Sequence, residues 1–310
     1  MTRNRGSSKR RASRFFFAAI LAAAILSPLS SYAQQGDIKL FSRQATLGGR
    51  TQAAILIVGW SRDASTVERL IDVVAQRANE VFAQLDWQNP NSDVSRLNAA
   101  AGGTAVAVSD DTIAALEEAK TISDWAKGWF DVTSAGQGSY RDISIDKGAR
   151  TAQLKKSGMQ VRFDGMIDGF LAEYMVRLIA TASMQNAMVK VGNVFRGMGS
   201  GLAGPWKIQV QDSEGTYAHH ALNLTVNNNA VATVSSNEFA YQELINPKNK
   251  ERIGAPCKGV TLVMKNAAQA QGMAKAVFIA GPKDGMELMA GKASGLIVDN
   301  AGKFIRTPGF

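Results

Sequence analysis

The chain has 310 residues, 45% hydrophobic and 20% charged. That composition excludes a collagen-like chain, a disulfide scaffold and a wholly disordered chain. Its formal charge of +9 is concentrated at one end, where residues 1–33 hold six of the 35 Lys and Arg and none of the 26 acids. The remainder carries 29 basic against 26 acidic residues, a net of +3. That excess is too small for a nucleic-acid footprint.

Residues 1–33 read as a secretory signal peptide. A basic stretch ends at Arg14, the apolar run Phe15–Leu26 follows, and Pro28 leads to the small-residue site Ser31-Tyr32-Ala33. The run has 12 residues, short of the roughly 20 that a membrane helix needs. Ser13 and Arg14 after Lys9-Arg10-Arg11 favour the general secretory route over the twin-arginine one. The expectation is an exported, periplasmic protein with no transmembrane segment in its mature part, residues 34–310. Cys257 is the only cysteine, so no disulfide within the chain is available and the residue reads as a small apolar filler.

In the mature part, Ala53–Val58 has the pattern of a buried strand, and Val67, Leu70, Ile71, Val74, Ala78, Val81, Phe82 and Leu85 follow at helical spacing. Asn89-Pro90-Asn91-Ser92 stops that helix. Ser109 is placed to cap a second helix through Trp125, which Gly128 ends. A third helix is predicted over Ile167–Ala182. Strands are predicted at Val189–Gly192, Trp206–Gln211, Ala221–Val226, Val260–Lys265 and Gly295–Asp299. Lys275–Ala280 belongs to a further helix, with another near Asp284–Ala290. This order of meandering strands and separate helices predicts an α+β class, in one domain of mixed, largely antiparallel strands with packed helices.

Generic catalytic motifs are scarce. His219 and His220 are adjacent, so a strand would point them to opposite faces. There is no Cys-x-x-Cys, His-Glu-x-x-His, Walker loop or Gly-x-Ser-x-Gly. The cluster Gly197-Met198-Gly199-Ser200-Gly201 reads as a turn, with a phosphate-binding loop as the alternative. Trp129 to Thr133 reads as core packing beside a cap.

Several short blocks stand out in order along the chain. These are Leu47-Gly48-Gly49, Ser92-Asp93-Val94-Ser95-Arg96-Leu97-Asn98, Phe130-Asp131-Val132-Thr133 and Phe163-Asp164 through Gly169. They continue with Val189-Lys190-Val191-Gly192-Asn193, Pro205-Trp206-Lys207-Ile208, Leu244-Ile245-Asn246-Pro247, Val260–Val263 and Met273–Gly281. Taken in order, these blocks resemble the ApbE-type flavin transferases, and the resemblance spans residues 40–306. It implies an exported enzyme that moves FMN from FAD to a Thr or Ser hydroxyl of an acceptor protein and releases AMP. It also implies a flavin nucleotide as ligand, an acceptor flavoprotein in the periplasm as partner, and a pocket formed by Ser95, Asn98, Asp131, Thr133, Gly192, Asn193 and Ser235.

The resemblance breaks where the family does its chemistry. Its magnesium is held in part by an Asp and a Thr four residues apart, and the matching positions read Gln271 and Lys275. A protonated lysine cannot ligate magnesium, so no metal ligand is assigned. The His before the family's Ile-Ile-Asp-Pro becomes Glu243, the Asp becomes Asn246, and the lysine of the Lys-Gly pair entering the third helix becomes Asp168. The residues left to carry catalysis are Asp168, Glu243 and Lys275, with Lys275 as a fixed charge on the phosphates and Glu243 or Asp168 as base. Three readings follow: a flavin transferase with altered machinery, a protein that holds FAD or another nucleotide without cleaving it, and a scaffold that binds a partner. Each residue also has a plainer role open to it. Ser95, Asn98, Asp131, Thr133, Asp164 and Asp168 suit caps and loop closures, and Lys275 and Glu243 suit solvated positions.

Overall fold

The computed structural model describes residues 37–210, 222–239 and 244–310. The expected signal segment, His219, His220 and Glu243 lie outside the described residues. The chain begins with a hairpin of β1 (Ile38–Leu47) and β2 (Thr51–Trp60), followed by α1 (Ala64–Leu85), α2 (Asp93–Ala99), β3 (Val106–Ala107) and α3 (Asp110–Trp125). Next come β4 (Ile143–Asp146), β5 (Thr151–Leu154), α4 (Ile167–Thr181), β6 (Ala187–Val191) and β7 (Val194–Met198). The rest is β8 (Trp206–Val210), β9 (Leu222–Val226), β10 (Ala230–Ser235), β11 (Gly259–Met264), α5 (Ala267–Met289), β12 (Ser294–Val298) and β13 (Phe304–Arg306). The two helices expected over 275–290 are one element broken at Gly281, whose φ of 76° and following proline interrupt the helical path.

Eight strands form one sheet in the order β1-β2-β6-β7-β10-β11-β12-β13, and every neighbouring pair is antiparallel. The fold is therefore α+β with a largely antiparallel sheet, as expected. Alternation along the strands buries both faces. Ala53, Ile55 and Ile57 of β2, with Val189 and Val191 of β6, pack into the main core with α1, α4 and α5. Ala54, Leu56, Met188 and Val231 point the other way, under Trp206, Ile208 and Val226 of the β8–β9 hairpin. A small sheet, β3-β5-β4, stands apart from the main one.

Two devices fix the central helices, and both bear on the site. The stripe Val67, Ile71, Val74, Ala78, Val81, Phe82 and Leu85 buries one face of α1. Helices α4 and α5 approach so closely that a Cβ at Gly169 would strike the Ala267 carbonyl. Gly197, from the glycine cluster, lies within β7, and only Gly199 takes a left-handed φ, 59°, at the turn after it.

Candidate functional site

Two cavities, of about 690 and 300 Å³, share a wall made by Arg162, Asp164, Gly165 and Lys275. The larger is closed by Arg50 in the turn of the first hairpin, by Asp86-Trp87-Gln88 after α1, by Asp168 in the first turn of α4, and by Gly192-Asn193 between β6 and β7. Gln271 and Lys275 of α5 close its other side. The smaller is lined by Phe130 to Val132 and by Leu244, Ile245 and Pro247. Together they form a two-lobed cleft at the ends of several elements, large enough for a nucleotide.

The charged groups of the larger lobe are held in place by one another. Arg50 donates to Asp86 at 2.7 Å and to Gln88 at 2.5 Å, and its guanidinium lies 5.0 Å from the Phe82 ring centre. The Asp164 carboxylate accepts from Trp87 Nε1 at 3.1 and 3.2 Å and from Arg162 Nε at 3.2 Å. The Arg162 guanidinium also stacks 3.8 Å over the Trp87 ring. Trp87, Asp164 and Arg162 thus form a fixed platform of an aromatic face, an acid and a cation at the cleft wall.

Asp168 sits at the floor. Burial pushes its carboxyl up to about 6; the Gln271 hydrogen bond opposes this, the nearby Asp164 charge adds to it and Arg50 draws it down. The Gly192 backbone, at φ 53°, presses so near that a Cβ there would run into the Asp168 carboxylate. Gln271 Oε1 accepts from the Gly169 amide at 2.8 Å, tying α5 to the start of α4. Lys275 lies one turn further along α5, with its stem over Gly165, where an added Cβ would fall 2.5 Å from Cδ and 3.2 Å from Nζ.

Of the residues expected from sequence, Asp168, Lys275, Gly192, Asn193 and Asp131 line the cleft. Ser95, Asn98 and Thr133, expected to contact the nucleotide, are hydrogen-bonded to protein groups. Ser95 Oγ donates to the Trp87 carbonyl at 2.9 Å, and Asn98 exchanges two hydrogen bonds with the Val161 backbone at 2.7 and 3.0 Å. These two residues of α2 therefore anchor the segments that carry Trp87 and Arg162. Thr133 is fully buried, and its amide and hydroxyl both donate to Asp131 Oδ1 at 2.7 Å. Asp131 Oδ2 accepts from the Tyr140 amide at 3.1 Å, so this acid organises its own loop while bordering the smaller lobe. Ser235 is buried beside Val234, which lines the larger lobe. Cys257 is buried, and burial pushes its thiol up to about 12, which leaves it unreactive at neutral pH.

Replacing Asn98 with Ala removes both bonds to Val161. The expected cost is about 1–2 kcal/mol together with weaker ligand binding, since the segment leading to Arg162 and Asp164 loses its anchor. Urea unfolding and a ligand titration check both effects.

A sequence model of the ApbE family matches residues 50–137 and 134–298, a span that contains every cleft residue named above. The chain belongs to the ApbE family. A protein of Treponema pallidum (strain Nichols) described as an FAD:protein FMN transferase is 23% identical over 266 residues, covering 71% of this chain and 74% of that one. The apo crystal structure of the Pseudomonas stutzeri flavinyl transferase ApbE superposes with a TM-score of 0.75 at 19% identity, covering 87% of this chain and 94% of that one. The flavin transferase ApbE of Vibrio cholerae gives 0.73 at 19% identity, with 88% and 98% covered. These structures share the fold described above.

Magnesium, which ApbE resemblance implies, does not suit the residues at its positions. Gln271 offers a single neutral amide oxygen, which also accepts from the Gly169 amide. The Lys275 ammonium has donors and no lone pair. Among the described residues, no three His, Cys, Asp or Glu side chains converge as a metal-binding group. The Asp164 carboxylate is engaged by Trp87 and Arg162.

Proposed function

We propose that the cleft binds FAD and that the protein transfers FMN from it to a Thr or Ser hydroxyl of an acceptor protein, releasing AMP. Family membership and the Treponema transferase support this reading. The observation that carries it is the meeting of Arg162, Lys275 and Asp168 around one cleft. Two cations suit the pyrophosphate, and a carboxylate with a pKa of about 6 suits proton removal from a hydroxyl near neutral pH. The acceptor oxygen forms a bond to the FMN phosphorus, its proton passes to Asp168, and the phosphoanhydride bond breaks with AMP as leaving group. The Trp87 ring offers a stacking face to a planar part of the nucleotide.

The N-terminal segment adds the expectation that residues 1–33 are removed on export, that residues 34–310 form the working domain and that the acceptor is periplasmic. A second reading is a protein that holds FAD intact. Gln271 and Lys275 favour it, because they stand where the family has metal-holding residues. Incubation with FAD and candidate periplasmic acceptors, followed by chromatography of nucleotides and protein, separates the two. Transfer releases AMP in step with protein-bound FMN. Recovery of bound but intact FAD supports the carrier, and absence of any bound flavin removes both readings.

A further inference from the structure

We propose that the cleft engages the FAD pyrophosphate without a divalent cation, with the Lys275 ammonium supplying the positive charge; this rests on the flavin-nucleotide reading above. The position of Lys275 argues for it. This side chain belongs to the wall shared by both lobes, so a dinucleotide spanning the cleft passes its linking phosphates across it. Gly165 provides the seat, since a Cβ there would press on the lysine stem. Arg162 lies on the same shared wall, fixed by Asp164 and Trp87, so a second cation stands beside the first.

The neighbouring groups are committed to holding this arrangement. Gln271 Oε1 closes α5 onto the Gly169 amide and so sets the register of Lys275, one turn away. The Asp164 oxygens accept from Trp87 and Arg162, and Asp168 bonds Gln271. A tethered ammonium needs no dehydrated ion to be recruited, and it remains charged beside a phosphate dianion. Lysine at this position therefore replaces the charge of a metal while preventing its coordination.

The test is titration of the full chain with FAD, followed by flavin fluorescence, in EDTA and in millimolar Mg²⁺. The parent and the Lys275→Met and Lys275→Arg variants are compared, with thermal melts confirming that each is folded. The expected result is parent affinity equal within about twofold in EDTA and Mg²⁺, a loss of about tenfold or more for Lys275→Met in both, and most affinity kept by Lys275→Arg. FAD bound only with Mg²⁺ leaves the nucleotide reading standing and overturns the metal-free one. Parent-like binding by Lys275→Met overturns the role of the ammonium. No FAD binding by the parent in either buffer overturns both readings. Should Lys275→Met fail to fold, the EDTA and Mg²⁺ comparison on the parent and Lys275→Arg decides the matter.

Discussion

Replacing Glu173 with Ala is expected to cost about 3–5 kcal/mol, a large share of the stability of an ordinary domain. Glu173 is 7% exposed in the middle of α4. Its Oε2 accepts from Arg196 Nε at 2.8 Å and from the Ala267 amide, the first of α5, at 3.0 Å. Its Oε1 accepts from Arg177 Nε at 3.3 Å. One carboxylate thus satisfies a buried first-turn amide of α5 and neutralises a guanidinium whose side chain is 14% exposed. Truncation to Ala leaves both without their charged partner, and that loss exceeds the net worth of the pair. Urea unfolding should show a lower midpoint at an unchanged slope. Glu173→Gln should lose less, because an amide oxygen still accepts from Ala267. A double-mutant cycle with Arg196→Met should return a coupling of about 1–3 kcal/mol. A loss below about 1 kcal/mol for Glu173→Ala would mean that water replaces the carboxylate. The same substitution should weaken ligand binding, because α5 carries Gln271 and Lys275 one and two turns beyond the anchored amide.

The long elements were readable because each has one dominant period. The apolar stripe of α1 and the buried run of β2 follow directly from spacing. β1 was not read, since IKLFSRQATL has an exposed, polar face and a sparse buried one, and as the edge of the sheet it gains its pairing from β2 alone. α2, at seven residues, is too short for a period to show, and its Ser92 cap looks the same as a loop serine. The cleft was partly legible through family likeness, which reached Asp168, Gly192, Asn193 and Lys275. It did not reach Arg50, Trp87 or Arg162, which are brought together across the fold: Arg50 sits in a hairpin turn and pairs with an acid 36 residues on. Trp87 meets Asp164 across 77 residues. A usable signal existed in Asp86-Trp87-Gln88 at the end of a helix just before Pro90, an aromatic flanked by polar groups where a buried run would be apolar. Conversely, Ser95 and Asn98 matched the family block in type, and residue type alone could not reveal that they anchor Trp87 and Val161 across the fold.

The second large effect belongs to Asp168, and it takes opposite signs in stability and in turnover. Its carboxyl titrates near 6 in the folded protein, above the ordinary value of 3.8. Below about pH 4 both folded and unfolded chains hold the proton, and the residue makes no pH-dependent contribution. Between about pH 4 and 6 the unfolded chain ionises first, so stability falls as pH rises, and above 6 the deficit levels off. The deficit is on the order of 3 kcal/mol. Asp168→Asn is neutral at every pH, and its Oδ1 can still accept from Gln271, so the variant should be more stable than the parent by about that amount at pH 8 and equal to it at pH 4. Its transfer rate should fall by about 10²–10⁴-fold, while the parent's rate should rise through about pH 6 as the carboxylate forms. Thermal melts at the two pH values and a pH–rate profile read the two halves separately. A stability gain of the same size at pH 4 and pH 8 would remove charge as its cause, and parent-like transfer by Asp168→Asn would place the base elsewhere. The coexistence of the two effects is the physical argument for a functional carboxylate. Partial burial of Asp168 against Gly192 and Gln271, near the Asp164 charge, destabilises the fold at neutral pH, and the same desolvation raises a carboxyl into the range where it can take a proton from a hydroxyl and return it.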